Sequence, residues 1–307
     1  MMTNGPAVPR PPGRWISALL LLAGALAVLL VPCQSVGSDR LLGILQDAAH
    51  FPFFLLLSVL LARLARGALP AAFAVAVVFL LGAEALQPLV GRSASLRDTL
   101  FGLAGVLAAA CLVSARRAGP RARRSLVFLT VALVAAAALP PSAVVLDRVR
   151  ARRELPLLGS FERWLELGRW TVGGSRADRM AAHATAGRYA LCLQVTNDAP
   201  YPGLFLTDGP PDWRGYRRLC ADVFLEGAAG RALWVRIDDR PGAAYAERFQ
   251  AECDLAPGTN AVCVSLDNLR SDSGRPMDLG RVVSAGFFLD RAAVGDRLWL
   301  DHVRLTP

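Results

Sequence analysis

The chain has 307 residues, 54% of them apolar, with 34 arginines, no lysine, 25 acids, a formal charge of +9 and a mean hydropathy of +0.39. These values exclude a disordered chain and an ordinary soluble one. Divided near Leu146, the first part holds 12 arginines and 4 acids and the second 22 arginines and 21 acids. The positive balance therefore belongs to the apolar part, and nucleic acid is set aside as a partner because a binder concentrates its charge on a soluble module.

Five apolar stretches come first, at 15–33, 44–62, 68–86, 96–114 and 125–146. Each can cross a hydrocarbon core of about 30 Å, which takes about 20 helical residues. In the second, Gln46, Asp47 and His50 precede the run that starts at Phe51 and are read as interfacial. A lipoprotein signal ending at Cys33 competes for the first stretch. Pro32 stands where its small residue belongs and the run is long for a signal core, so it is read as a retained helix. With the N-terminus inside, the inner segments carry Arg10, Arg14, Arg63, Arg66, Arg116, Arg117, Arg121, Arg123 and Arg124, against Arg40, Arg92 and Arg97 outside. That asymmetry predicts five spans and an extracytoplasmic C-terminus in the cytoplasmic membrane; Arg148, Arg150, Arg152 and Arg153 run against it. The domains are expected at 1–146, a linker at 147–159, and 160–307.

Polar groups inside an apolar bundle are costly and carry information. His50, Glu84, Gln87 and Asp98 fall at one leaflet in this topology, with Arg92 in the loop between them. They are expected to converge as an ion-paired cluster, with Arg92 or Arg97 balancing Glu84 and Asp98. The alternative is that helix ends are polar because headgroups are there. Glu84 resists it best, following directly on AVVFLLGA.

At His50-Phe51, Glu84-Ala85-Leu86-Gln87, Gly91-Arg92-Ser93, Asp98 and Gly105, the sequence resembles the VanZ-like family of small membrane proteins over about 15–115. Gln46 and Asp47 stand where that family has Asp and Lys, and Gly102 where it has Asn. The resemblance implies a cell-envelope location and a link to cell-wall or glycopeptide-antibiotic response, without naming a reaction.

From Phe161 the pattern becomes period-two alternation, in runs at 188–195, 203–207, 218–225, 232–238, 247–254, 260–267, 282–290 and 297–305. Strands at that spacing with no helical pattern between them predict an antiparallel sandwich. In ALWVRID, Leu233, Val235 and Ile237 point to the core and Trp234, Arg236 and Asp238 away from it. A ring, a guanidinium and a carboxylate on one face suit a sugar, through stacking and bidentate hydrogen bonds. Arg248 and Gln250 stand on a neighbouring strand, with Trp213 or Tyr216 as a rim. The competing reading is a solvated face with an ion pair.

Phe161-Glu162, Tyr201-Pro202-Gly203-Leu204, Asp212-Trp213-Arg214-Gly215-Tyr216 and the closing Leu298–Leu305 resemble galactose-binding-like jelly-roll domains, carbohydrate-binding modules among them. That resemblance implies a glycan ligand and a structural Ca²⁺, which would map to Glu162 and Asp301.

Cys253 and Cys263 sit symmetrically about Gly258, so a hairpin at Pro257-Gly258 is expected to bridge them; buried thiols are the alternative. No Ser-His-Asp, HExxH, paired CxxC or phosphate loop is present, which argues against a hydrolase and names no catalytic residue. The expectation is a multi-domain membrane protein: a helical bundle, then an all-β jelly-roll sandwich that binds an envelope glycan or cell-wall polymer beside membrane lipids, requiring no cofactor. The rivals are a membrane enzyme or transporter-like protein acting on a lipid-linked or cell-wall precursor at the polar cluster, and a protein-interaction module.

Overall fold

A computed structural model describes residues 23–24, 39–65, 68–90, 95–290 and 292–307. The chain divides into two compact units, one containing Leu42–Pro141 and the other Val36–Leu41 with Ser142–Pro307.

Four helices are long and apolar enough to cross a membrane: α1 (Arg40–Leu64), α2 (Leu69–Leu86) with a following 3-10 turn (Gln87–Val90), α3 (Leu96–Ala115) and α4 (Pro120–Glu154). The number is four where five were expected, because the stretch 15–33 lies, apart from Ala23 and Gly24, outside the described residues. The core of this unit is built from Phe54, Leu57 and Leu61 of α1, Ala72, Ala76, Leu80 and Ala83 of α2, and Val106 of α3. The three- and four-residue spacing on α1 and α2 is one helical stripe on each of those two elements. Small residues set the closest approach: a Cβ at Gly105 would strike the Phe51 carbonyl oxygen, and one at Gly102 the Leu80 side chain. Leu56, Val78, Phe128 and Leu139 point outward and are exposed. Helices apolar all round with internally paired backbones are what a lipid environment selects.

The segment 147–159, expected as a linker, carries regular structure. α4 continues to Glu154 and a short strand β1 (Leu157–Gly159) follows. Arginine is a good helix former, and within the second unit Asp147 is held from two sides. Arg169 donates Nε and Nη2 to its two oxygens at 3.1 and 2.8 Å, and Arg40 donates at 3.1 Å.

The rest of that unit is a β-sandwich of two antiparallel sheets. β3 (Ser175–Met180), β4 (Ala190–Val195), β11 (Arg297–Thr306), β6 (Arg218–Leu225) and β9 (Gly258–Ser265) form one sheet in that order, with β1 on β11. β2 (Trp170–Gly173), β5 (Gly203–Leu206), β10 (Ser284–Leu289), β7 (Arg231–Asp238) and β8 (Phe249–Leu255) form the other. A one-turn helix α5 (Trp164–Leu167) precedes β2. Eight strands were expected; β1, β2 and β3 are additional. From β4 onward the chain passes repeatedly from one sheet to the other, the connectivity of a jelly roll. Alternation fills the core, with Leu191, Leu219, Val223, Leu298 and Leu300 from one sheet facing Leu204, Leu233, Val235, Ile237 and Phe287 from the other.

The expected Cys253–Cys263 bridge is overturned. Cys263 is joined to Cys220, and Cys253 is free. The β8–β9 connection is not a hairpin: Gly258 at φ 93°, with Asn260 bonded to both Ala256 backbone groups, carries the chain across the sandwich. β9 then pairs with β6, where Cys220 and Cys263 are direct partners with Cα atoms 4.1 Å apart.

Candidate functional site

Register assembles the outer face of the β2-β5-β10-β7-β8 sheet row by row. Gly173, Gly203, Phe288, Trp234 and Glu252 lie side by side across the five strands. Thr171, Phe205, Gly286, Arg236 and Gln250 form the next row, and Ser284 and Asp238 the third. Glycine alternates with aromatic residues, and the alternation is steric. A Cβ at Gly286 would overlap the Phe205 ring, and one at Gly203 would overlap Phe288. The Phe205 ring therefore lies over Gly286 of the neighbouring strand, and Gly203 lets its strand approach the Phe288 backbone. Phe288 is the hub, stacked on Trp234 (centroids 6.4 Å, 17°) and Phe205 (6.1 Å, 21°) and meeting exposed Tyr201 edge-on at 5.8 Å.

Polar groups adjoin this platform. Arg236 donates Nε and Nη2 to the two Asp238 oxygens at 3.0 and 2.6 Å and lies over the Phe205 ring at 5.9 Å. Asp238 is buried, with Arg248 3.9 Å away on its other side. Of the four expected ligand residues, Trp234, Arg236 and Arg248 thus present partly exposed atoms, while buried Asp238 orients Arg236. Gln250 is turned toward Asp272 at 3.0 Å, and Arg248 donates to the Ala243 carbonyl. Beyond this edge, Arg275 grips Asp239 bidentately at 2.7 and 2.8 Å and Glu247 at 2.7 Å, fixing two loops. Hydrogen bonds from Arg275 hold the Asp239 carboxyl below its ordinary range.

The expected rim is corrected. Trp213 is fully buried, its indole N–H spent on the Pro210 carbonyl at 2.8 Å, and Tyr216 packs against the core. Phe205, Phe288 and Tyr201 were missed. Their signal was available, since Phe205 falls out of phase with Leu204 and Leu206, and Phe288 with Phe287 and Leu289.

The other sheet's outer face is covered over part of its area, while β9 presents exposed Thr259, Ala261, Cys263 and Ser265. His183 stacks on Phe224 at 3.5 Å and Ala184 covers Ala190, Cys192 and Trp299. Asp301 and Glu162 serve the same covering loop. One Asp301 oxygen accepts the N–H groups of Thr185 (2.6 Å) and Ala186 (2.9 Å), and one Glu162 oxygen those of Arg188 (2.7 Å) and Tyr189 (2.8 Å). One oxygen of each acid expected to hold calcium is in this way bonded to backbone donors.

In the helical unit His50, Glu84, Gln87 and Asp98 are brought together and buried. His50, read from the sequence as interfacial, is packed inside the bundle at 5% exposure. Gln87 donates to Glu84 Oε1 at 3.0 Å, and Ser95, which caps α3, donates its N–H to Glu84 Oε2 at 3.2 Å. His50 Nε2 is 3.9 Å from Glu84 Oε1 and Nδ1 is 3.7 Å from Asp98 Oδ1. Arg92 lies outside the described residues, and Arg97 is exposed and makes no ion pair among them.

No family model matches the chain, and no curated protein matches it. Among solved structures, an exo-β-agarase is 18% identical over 49% of this chain, with a TM-score of 0.41; this chain covers 24% of that enzyme. The family 11 carbohydrate-binding module from Clostridium thermocellum, in complex with a β-1,3-1,4-mixed-linked tetrasaccharide, is 15% identical, with 49% of this chain and 94% of that chain covered and a TM-score of 0.39. The C-terminal family 22 carbohydrate-binding module of Clostridium thermocellum Xyn10B is 14% identical, with 48% and 91% covered and a TM-score of 0.33.

Proposed function

We propose that the sandwich binds a glycan on the open face of its β2-β5-β10-β7-β8 sheet and is anchored by the N-terminal helices in the cytoplasmic membrane, the sandwich lying outside. The observation that carries this reading is the joined aromatic platform of Trp234, Phe288 and Phe205, with a guanidinium pinned beside it. A sugar presents an apolar face to the half-buried Trp234 and Phe205 rings, which the buried Phe288 joins, and hydroxyls to the remaining N–H groups of Arg236. Two of five guanidinium donors go to Asp238, which fixes the fork without exhausting it. Location outside rests on the arginine asymmetry of the short loops, and an oxidising compartment suits the Cys220–Cys263 bridge. Envelope or cell-wall polymers are the ligands within reach of such an anchor.

The test is a glycan-array screen of the full chain in nanodiscs, repeated with Trp234→Ala. The reading expects retention on at least one polysaccharide, at least tenfold weaker in the variant, with melting lowered by only a few degrees. Silence across the array, or equal retention by the variant, would overturn it.

A further inference from the structure

The polar cluster of the helical unit has the composition and geometry of an ion site. One ligand atom each from His50, Glu84 and Asp98 lies within 4.8 Å of the others, and all three side chains are more than nine-tenths buried. Two donors bound to one ion at about 2.1 Å each can stand at most about 4.2 Å apart. The His50 Nε2 to Glu84 Oε1 separation of 3.9 Å already satisfies this limit, and closure of the third donor asks for a shift of a few tenths of an ångström.

Several observations point to a ligand. His50 Nε2, Asp98 Oδ1 and Gln87 Oε1 are buried with no hydrogen-bond partner. Orphaned polar atoms in a packed interior are costly, and three in one cluster call for something that satisfies them together. The histidine is also arranged as a ligand: its Nδ1 is 3.2 Å from the Asp47 carbonyl oxygen, so a proton on Nδ1 donated there leaves the Nε2 lone pair facing the cluster. An outer hydrogen bond of that kind is the usual way a metal-binding imidazole is oriented. Glu84 is likewise oriented by Gln87 and Ser95. Finally, two carboxylates are buried among apolar helices with no arginine paired to either among the described residues. Like charges so placed are stabilised by a cation.

We propose that His50, Glu84 and Asp98 bind one divalent transition-metal ion, of the Zn²⁺ or Mn²⁺ class, between α1, α2 and α3. Imidazole favours these ions over Mg²⁺ and Ca²⁺, whose preferred shells are all oxygen. Three protein donors leave at least one coordination position for water or an anionic group.

The experiment measures metal content by mass spectrometry on the full chain in detergent, loaded separately with Zn²⁺ and Mn²⁺ and desalted, alongside Glu84→Gln and Asp98→Asn. The expected result is about one ion per chain in the wild type and at least a tenfold loss of affinity in each variant. An ion held elsewhere, at a cysteine for example, would survive both substitutions and overturn the assignment, as would a wild type that retains none. Should either variant fail to fold, Co²⁺ titration of the wild type decides. Ligand-field absorption that saturates at one equivalent and is displaced by Zn²⁺ supports the site; an unchanged spectrum overturns it.

Discussion

Gly286→Ala offers a sharp handle on the aromatic platform, because it adds one methyl group beneath one ring. Gly286 sits between Phe205 and Arg236 in register, and its backbone is not among those with positive φ, so alanine is conformationally acceptable. The new Cβ would lie under 3.0 Å from two Phe205 ring carbons and 3.3 Å from Cγ. Ordinary carbon contacts need about 3.5 to 4.0 Å, so the ring must swing away, leaving its stack on Phe288 and its place under Arg236. Losing one aromatic pair costs about 0.5 to 1.5 kcal/mol, while removing a strand glycine returns about 0.5 to 1 kcal/mol. Net stability should therefore stay within about 1 kcal/mol of wild type. Loss of one ring from a bound sugar, at about 0.5 to 1.5 kcal/mol, corresponds to roughly a two- to twelvefold rise in Kd. Calorimetric melting and affinity electrophoresis on the same preparation measure both numbers. An unchanged Kd would remove Phe205 from the ligand surface, and a collapse in stability would show that the ring is structural.

Three further outcomes test the fold. Under non-reducing conditions Cys220 and Cys263 should resist alkylation after denaturation while Cys253 is labelled; with the partners 43 positions apart, Cys263→Ser should cost up to roughly 4 kcal/mol in the chain-entropy model. Asp147→Asn breaks a pair whose side chains are 3% and 2% exposed and should lower stability by about 3 to 5 kcal/mol, measured by thermal melting of the full chain. Asp239 has a depressed carboxyl pKa, so its stabilising contribution is present above its ordinary value of 3.8 and is lost as pH falls below it. Acid titration of Asp239→Asn should accordingly show a shallower loss below that pH than wild type, and superimposable acid limbs would contradict the role given to Arg275.

Local pattern carried the elements and long-range pairing did not. Leu233, Val235 and Ile237 are core because alternation leaves a strand no other choice. The helices at Leu69 and Leu96 begin where hydropathy rises, with Pro70 and Ser95 marking their starts. Cys253 and Cys263 show what symmetry in sequence cannot say. A turn that looks like a hairpin can instead cross the sandwich, and only the β6–β9 register identifies Cys220 as the partner. Trp213 carried no phase information because it lies outside any strand, so its burial under the Pro210 carbonyl was hidden. Phe205 and Phe288 were legible by phase alone: each sits on a nearly all-apolar strand, where composition makes an outward aromatic look like more core. In the helical unit, His50, Glu84 and Asp98 were legible as polar groups at one level, but the orphaned atoms that mark an ion site exist only once the helices are packed.

The most direct measurement of the glycan claim is tryptophan oxidation footprinting of the full chain in nanodiscs, with and without a retained polysaccharide. Trp213 is 1% exposed and provides the unreactive baseline, and Trp164 is 73% exposed and provides a reactive site away from the proposed face. The account predicts that saturating glycan protects Trp234 and leaves Trp164 unchanged. Bound glycan that protects Trp164 while Trp234 oxidises as before would contradict it.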